Sequence, residues 1–218
     1  MIVSRGRGYV FVHIPKTGGT ALTLALEARA KKDDILIGDT PKARARRRQV
    51  QRLKAAGRLW KHSTLADIDG VISSEELARF FVFTVVRNPW DRLVSLYHWL
   101  RMQSFAHPSV GLTKTQSFSG FLNAPHIQSA LRQWPYGAYL RDRAGVDRAR
   151  LYARLERLAD DLAPLEAHLG FAVAPGRANA SDRATDWRPY YSDADADLIA
   201  QLCAEDILRF GYCFDGLR

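Results

Sequence analysis

The sequence predicts an α/β fold, with a central, mostly parallel sheet covered by helices on both faces in three layers. Two stretches of the chain carry this prediction. Residues 9–14 form an apolar run of β-branched and aromatic side chains, after which a glycine turn leads into the helical stretch 21–30. Residues 80–86, FFVFTVV, form a continuous run that is apolar apart from Thr84, as expected of a strand buried on both faces, and the helical stretch 93–101 follows. Strands that alternate with helices in this way are typical of α/β proteins.

The remaining elements follow from apolar periodicity and from turn residues. Ser192, followed by aspartates in the next turn, is typical of a helix start. Over residues 147–168 the periodicity also permits one long helix. Strands are predicted at or near residues 8–14, 35–37, 58–61, 80–86 and 150–155, and helices at 20–32, 42–55, 74–79, 89–103, 116–122, 127–133, 157–169 and 193–209.

Length and composition agree with one domain. The chain has 218 residues, of which 47% are hydrophobic and 25% are charged, so it can bury a sizeable core. No repeat or linker divides it, and we expect residues 1–218 to form a single domain. The sequence has no signal-type apolar core at its start and no run of eighteen uncharged apolar residues, which predicts a cytoplasmic protein without a transmembrane segment.

The glycine turn, Lys16-Thr17-Gly18-Gly19-Thr20, has the composition of a phosphate-binding loop. A helix start offers free backbone N–H groups and partial positive charge, and glycines let an anion approach them closely. The string lacks the Gly-Lys-Ser/Thr ending of nucleotide triphosphatases and the Gly-x-Gly-x-x-Gly of dinucleotide-binding folds. Taken alone, the turn is equally typical of an ordinary connection between a strand and a helix.

A second cation follows the second strand. Arg87 comes directly after the apolar run, and Pro89 is a typical first helical residue. Ligands of open α/β sheets bind at the carboxyl ends of the strands, so we expect Lys16 and Arg87 to follow strands that end at one edge of the sheet. Ser95 lies seven residues, or two helical turns, beyond Asn88, and can share a helix face with the helix start.

The string PKTGGT after one strand and RNPWDRLVSLYHW after another resemble the two signature motifs of sulfotransferases that use 3′-phosphoadenosine 5′-phosphosulfate (PAPS). The similarity extends into the carboxyl-terminal third and is greatest to the branch related to carbohydrate (heparan and chondroitin type) sulfotransferases. It implies a P-loop-like sulfotransferase fold and, without a membrane anchor, a bacterial member. For residues 147–168 it implies a strand that ends at Leu155, followed by a helix that Gly170 caps.

The resemblance also implies roles for individual residues. Residues Lys16, Thr17, Gly18, Gly19, Thr20 and Ala21 would hold the 5′-phosphosulfate, with Lys16 neutralising charge on the bridging oxygen as the sulfuryl group leaves. Arg87 and Ser95 would bind the 3′-phosphate, leaving 3′-phosphoadenosine 5′-phosphate (PAP) as product. Asn179 and Ser181 are candidates to close over the nucleotide, although a surface turn explains them nearly as well. No metal is expected, since the histidines are scattered and no paired CxxC occurs.

His62, in the string WKHST, resembles the short histidine motif to which the family assigns its general base. An imidazole with an ordinary pKa near ~6.5 suits proton abstraction from an acceptor hydroxyl at neutral pH. Of the other five histidines, His13 lies inside the first predicted strand and is expected to be a buried structural residue. The alternative for His62 is the same structural role.

The charge of the chain bears on its partners. The net charge is +9, and nine cations lie in the acid-free interval 40–66. Such a segment attracts anions, so the acceptor can be an anionic glycan, but the segment can equally serve the anionic donor or form a solvated helix face. Nucleic-acid contact is a weaker alternative, and no nucleic-acid partner is expected. The sequence does not predict an oligomeric state.

Two other functions remain open at this point. The first is a P-loop-like phosphotransferase or kinase, which the missing Gly-Lys-Ser/Thr magnesium site disfavours. The second is a non-catalytic protein that binds anions or nucleic acid through the basic interval.

Overall fold

In a computed structural model of the chain, residues 1–176 and 184–217 are described. They divide into two compact units. The first unit is built from residues 1–86 and the described part of 136–179, and the second from residues 87–135 and the described part of 180–218. The expectation of a single domain stays a prediction.

The first unit contains a five-stranded sheet in the order β3-β1-β2-β4-β5. β1 pairs antiparallel with both β2 and β3, whereas β2–β4 and β4–β5 are parallel pairs. Four of the five strands therefore run in one direction, which confirms the prediction of an α/β fold around a mostly parallel sheet. The strands of this sheet are β1 (Ile2–Ser4), β2 (Tyr9–Val12), β3 (Ile35–Leu36), β4 (Phe81–Val86) and β5 (Leu151–Arg154).

The parallel register determines which strand ends lie together. Val12 of β2 pairs with Thr84 of β4, and Val86 of β4 pairs with Arg154 of β5. The carboxyl ends of β2, β4 and β5 thus lie along one edge of the sheet, the edge at which open α/β sheets bind ligands. The glycine turn follows β2 in the sequence, and Arg87 follows Val86 directly.

The helices are α1 (Gly19–Ala28), α2 (Pro41–Ala45), α3 (Arg47–Gln51), α4 (Ser74–Arg79), α5 (Pro89–Arg101), α6 (Pro108–Thr115), α7 (Phe118–Leu122), α8 (Pro125–Gln133), α9 (Leu158–Asp161), α10 (Ala163–Leu169), α11 (Asp193–Leu202) and α12 (Ala204–Phe210). α1 and α10 pack on one face of the sheet. Leu22 and Leu26 of α1 and Leu165 of α10 share a buried cluster with side chains of β2 and β4. Every residue of β4 is buried, as its continuous apolar sequence predicts.

Several predicted elements need correction. Residues 58–61 do not form a strand, because the Ser63 hydroxyl bonds to Arg58 O and Trp60 O and accepts from Trp60 N–H, which holds this segment as a turn. The predicted helix 42–55 is two short helices that meet at Arg46, whose guanidinium donates to the carbonyls of Lys31 and Asp34. The predicted helices 157–169 and 193–209 are likewise each divided in two.

The segment 147–168 is not one long helix. β5 ends at Arg154, one residue before the end that the resemblance implies, and a short 3₁₀ turn leads into α9 and α10. Gly170 caps α10 in a left-handed conformation with φ 74°. Here the resemblance gives the better prediction.

The described residues of the second unit form helices and one two-stranded hairpin, β6 (Tyr212–Cys213) with β7 (Gly216–Leu217). Asn88 is the N-cap of α5, and its side-chain amide donates to Cys213 O and Gly216 O of the hairpin at 2.9 and 3.2 Å. Tyr97 of α5 packs against Phe118 of α7 with ring centroids 5.3 Å apart. The start of α5 is therefore held within its own unit by capping and by aromatic packing.

Candidate active site

The connection between β2 and α1 has an unusual backbone. Lys16 has φ 66°, and is the only described non-glycine residue with positive φ, while Gly18 has φ 82°. A left-handed conformation costs an L-residue roughly 1–2 kcal/mol, and such strain concentrates at functional sites. Gly18 is also the N-cap of α1 and has no side chain with which to cap it. No side chain caps the first amides of this helix, which is the arrangement that anion binding at a helix start requires.

The two glycines of the connection are sterically required. A Cβ on Gly18 would lie 2.6 Å from Leu155 Cδ1, just beyond the end of β5. A Cβ on Gly19 would collide with the imidazole ring of His13. The loop backbone therefore lies directly against neighbouring side chains.

We expect Gly18→Ala to lower the free energy of unfolding by about 1–3 kcal/mol. Alanine disfavours the positive φ of this position, and its Cβ would clash with Leu155. Thermal denaturation measures this change. Gly111→Ala is the matched control, since no described atom lies within 4 Å of a Cβ at that position in α6. Equal melting temperatures for the two variants would contradict the strain at Gly18.

The loop threonines differ in their surroundings. The Thr17 hydroxyl is buried and donates to Ile14 O at 3.0 Å, so its hydrogen stabilises the turn itself. Thr20 and Ala21 are half-buried in the first turn of α1, and Ala21 N–H bonds to Gly18 O at 3.3 Å. Any contact of Thr17 with a phosphate would therefore use its backbone N–H rather than its hydroxyl proton.

The structure places His62 beside this loop. His62 Nδ1 lies 2.7 Å from His13 O, and the two imidazole rings meet edge to face with centroids 4.8 Å apart. A carbonyl oxygen only accepts hydrogen bonds, so the proton of the neutral ring is on Nδ1 and the lone pair on Nε2. Since the His13 ring packs against Gly19, His62 is joined to the glycine turn through one residue.

Both histidines of this pair are neutral at pH 7. Burial lowers the pKa of His62 from 6.5 to about 4. His13 is 7% exposed, and burial lowers its pKa well below 6.5. His13 is thus the buried residue that the sequence predicts, while His62 is half-buried and holds an unprotonated nitrogen at neutral pH. The role of His13 in orienting His62 has no signal in the sequence.

Arg87 and Ser95 belong to the second unit. The Arg87 side chain is 14% exposed, and both Nε and Nη2 lie 2.7 Å from Asp91 Oδ2. Ser95 is 3% exposed within α5. Neither is a solvated surface residue. The ion pair of Arg87 and Asp91 was not predicted from the sequence, although their i, i+4 spacing indicates it.

Two predicted site residues, Asn179 and Ser181, lie outside the described residues. Within residues 1–176 and 184–217, no group of three or more His, Cys, Asp or Glu side chains is placed to hold a metal ion. No helix in the same ranges has both the length and the apolar character needed to cross a membrane.

Comparison with known proteins identifies a family and similar folds. A family model described as "Sulfotransferase family" matches residues 1–133, which is more than half of the chain. No curated protein sequence matches. Among solved structures, the fold is similar to that of mouse sulfotransferase SULT7A1 complexed with PAP, with a TM-score of 0.55. That match is 16% identical in sequence and covers 94% of this chain and 86% of the mouse chain, so it shows the fold alone.

Proposed function

Because this chain belongs to the sulfotransferase family, we propose that it transfers a sulfuryl group from PAPS to a hydroxyl of an acceptor, with His62 as general base. The observation that supports this most directly is the 2.7 Å bond between His62 Nδ1 and His13 O, beside the glycine turn. It leaves Nε2 free of a proton at neutral pH. The PAP complex of the structurally similar mouse enzyme supports PAPS as the donor.

The β2–α1 connection has the features that a 5′-phosphosulfate requires. Lys16 supplies positive charge, and the amides of Gly19 and Thr20 lie at the start of a helix that no side chain caps. PAPS, when bound, supplies the sulfuryl group and a leaving phosphate. Lys16 and the loop amides would stabilise the charge that develops on that phosphate, in a preformed geometry that needs no reorganisation. On this view the strained backbone of Lys16 positions its side chain.

Arg87 and Ser95 are proposed to bind the 3′-phosphate. Asp91 holds the Arg87 guanidinium through one oxygen, which fixes its orientation and lowers the entropy lost when it binds an anion. Arginine suits this task because its planar fork matches phosphate oxygens. Asn179 and Ser181 remain candidates for closing over the nucleotide.

His62 is proposed to take the proton of the acceptor hydroxyl on Nε2. The bond from Nδ1 to His13 O fixes the tautomer and becomes stronger when the ring gains positive charge. The pKa of His62 is about 4, below the value near 6.5 that the sequence predicts, so the ring is unprotonated at pH 7 and Nε2 is a weaker base than that of an ordinary imidazole. We propose a carbohydrate as the acceptor, in line with the branch that the sequence resembles.

The donor is tested by calorimetric titration of the protein with PAP and, separately, with adenosine 5′-phosphate. We expect PAP to bind at least tenfold more tightly, because only PAP offers a 3′-phosphate to Arg87 and Ser95. A turnover assay that compares labelled PAPS with ATP and magnesium separates sulfuryl transfer from a phosphotransferase activity. Failure of PAP to bind at millimolar concentration, or turnover of ATP instead, would overturn the proposal.

A further inference from the structure

A cavity of about 550 Å³ in the first unit lies beside the segment that carries His62. Its volume is in the range of small-molecule sites. Apolar side chains of β3 and α3, including Leu36 and Val50, line part of it, and Trp60 and Lys61 line another part. The residues of the glycine turn are not among its lining residues. The cavity is therefore separate from the proposed donor loop.

We propose that this cavity binds the acceptor, and that it selects an acceptor with a ring and an acidic group, namely a carboxylate or a sulfate. This inference rests on the proposed function, because only a transferase has an acceptor. The binding that it predicts can still be measured without turnover. Arg44 and Arg47 are the residues proposed to recognise the acid, and Trp60 the residue proposed to contact the ring.

The charges around the cavity favour an anion. Arg44, Arg47 and Lys61 line it together with a single carboxylate, that of Asp39. Lys61 Nζ lies 2.7 Å from Asp39 Oδ2, so these two neutralise each other. Arg44 and Arg47 form no ion pair with any carboxylate in the described ranges. Their two charges are left uncompensated at one cavity.

The cations of residues 40–66 have different partners, and some of them stabilise the helices instead of lining the cavity. Lys42 donates to Glu27 O, and Arg46 donates to the carbonyls of Lys31 and Asp34. These cations hold α2 and α3 in place. Glu27 fixes the start of α2 from the other side, because both of its oxygens accept from the Thr40 hydroxyl that caps this helix.

Arg44 and Arg47, three residues apart, are thus presented by a pair of anchored helices. Arg44 lies at the end of α2 and Arg47 at the start of α3, and both line the same cavity, so both guanidinium groups can reach one acid there. Anchoring of the backbone on both sides reduces the entropy that the site loses on binding.

Trp60 connects the cavity to the proposed base. It is 43% exposed although it is a large aromatic residue, and its ring meets the His62 ring edge to face at 5.0 Å. Arg58 lies over the same indole at 5.4 Å, which supports its orientation. An exposed, oriented indole is a typical platform for the flat face of a sugar or an aromatic ring. An acceptor ring that packs on this indole would lie next to the imidazole of His62, which is proposed to take the proton of the acceptor hydroxyl.

Two pairs of probes distinguish the sources of such an acid. One pair is 4-nitrophenyl β-glucuronide and its neutral twin 4-nitrophenyl β-glucoside. The other is 4-hydroxybenzoate and 4-hydroxybenzamide. Calorimetry with the full chain in the presence of PAP measures the dissociation constant of each. We expect the acid of at least one pair to bind at least tenfold more tightly than its neutral twin, and the preferred pair identifies a sugar or an aromatic acid as the ligand.

The double variant Arg44→Ala/Arg47→Ala should raise the dissociation constant of the preferred acid at least tenfold and leave that of its neutral twin unchanged. The double variant Arg48→Ala/Arg52→Ala is the matched control. It removes the same charge from exposed positions of the same segment that do not line the cavity. We expect it to change binding of the acid less than twofold, and PAP affinity to be the same in all three proteins.

Equal losses in the two double variants would overturn the proposal, because the acid would then respond only to the overall positive field. Equal binding of acid and neutral twin, or no binding of any probe, would overturn it as well. Binding of the acid without any use of PAPS would contradict the proposed function and leave the cavity as an acid-binding site. Transfer of sulfate to neutral acceptors alone would support the proposed function and overturn the acid-binding role of the cavity.

Discussion

Replacing His62 with asparagine is expected to lower kcat by about 10²- to 10⁴-fold, the contribution typical of a general base, and to leave the dissociation constant of PAP within about twofold. Asparagine is the sharpest substitution because its side-chain amide can still donate to His13 O, as Nδ1 does in the native protein. The variant thus keeps the structural bond and loses the basic nitrogen. Steady-state kinetics with a sulfated product readout and calorimetry with PAP measure the two quantities.

His168→Gln is the control for this variant. His168 is an exposed histidine of the same unit whose Nε2 also pairs with a backbone carbonyl, that of Arg7 at 2.9 Å. We expect its kcat to remain within about twofold of the native value. A loss of PAP affinity in His62→Asn as large as the loss in kcat would show a role in binding rather than in proton transfer.

The pH profile gives a second readout of the same prediction. Since burial lowers the pKa of His62 to about 4, the base stays neutral down to that pH, and activity should fall only as pH decreases through about 4 rather than through 6.5. Residual activity of His62→Asn should lack this step. Between 6.5 and 4 the unfolded chain binds a proton at this residue that the folded chain does not, so its contribution to stability decreases as pH falls. An acid limb near 6.5 would contradict the buried, neutral imidazole.

Much of the fold could be predicted because some stretches have only one physical solution. The run FVFTVV of β4, apolar apart from Thr84 and rich in β-branched and aromatic residues, is typical of a strand buried on both faces. α4 lies at its predicted bounds, because Ser73 and Glu76 form a capping box that the sequence displays openly. Local chemistry and tertiary packing agree at these places, so the sequence alone was sufficient.

The errors occur where tertiary contacts override weak local signals. β1 has three residues, too few for an alternating pattern, and exists because its neighbours β2 and β3 pair with it. α6 was not predicted since it contains a glycine and β-branched residues, and it begins with His107 as its N-cap. The turn around Trp60 depends on Ser63, whose bonds no periodicity reveals. In each case the deciding partner is contributed by another part of the chain or by a side chain outside the pattern.

Some features of the candidate site depend on local sequence, and others depend on tertiary contacts. The motif around Gly18 and Gly19 was readable because glycine spacing and charge are properties of the sequence. The sequence does not reveal the tautomer of His62 or the cavity with Arg44 and Arg47, because both depend on which groups the fold brings together. The carbohydrate acceptor, the bacterial origin and the cytoplasmic location stay predictions.

Replacing Lys16 with methionine is expected to lower kcat by about 10²- to 10³-fold, the range typical of removing one group that stabilises developing negative charge. Methionine keeps an unbranched side chain and removes the charge. Lys32→Met, an exposed lysine of the same unit outside the motif, is the control and should leave kcat unchanged. Equal effects of the two variants would mean that Lys16 acts only through the net charge of the protein.

A glycine at the same position separates function from backbone strain. Lys16→Gly removes the charge as methionine does, but it also relieves the left-handed conformation at φ 66°. Relief of roughly 1–2 kcal/mol exceeds the roughly 0.5–1 kcal/mol that glycine costs through the unfolded chain. We therefore expect Lys16→Gly to melt about 2–4 °C above Lys16→Met, while both variants show the same loss of kcat. A lower melting temperature for the glycine variant would show that the native lysine is not strained. A higher one means that the fold holds a lysine where glycine is more stable, which is expected only where the side chain is needed for function.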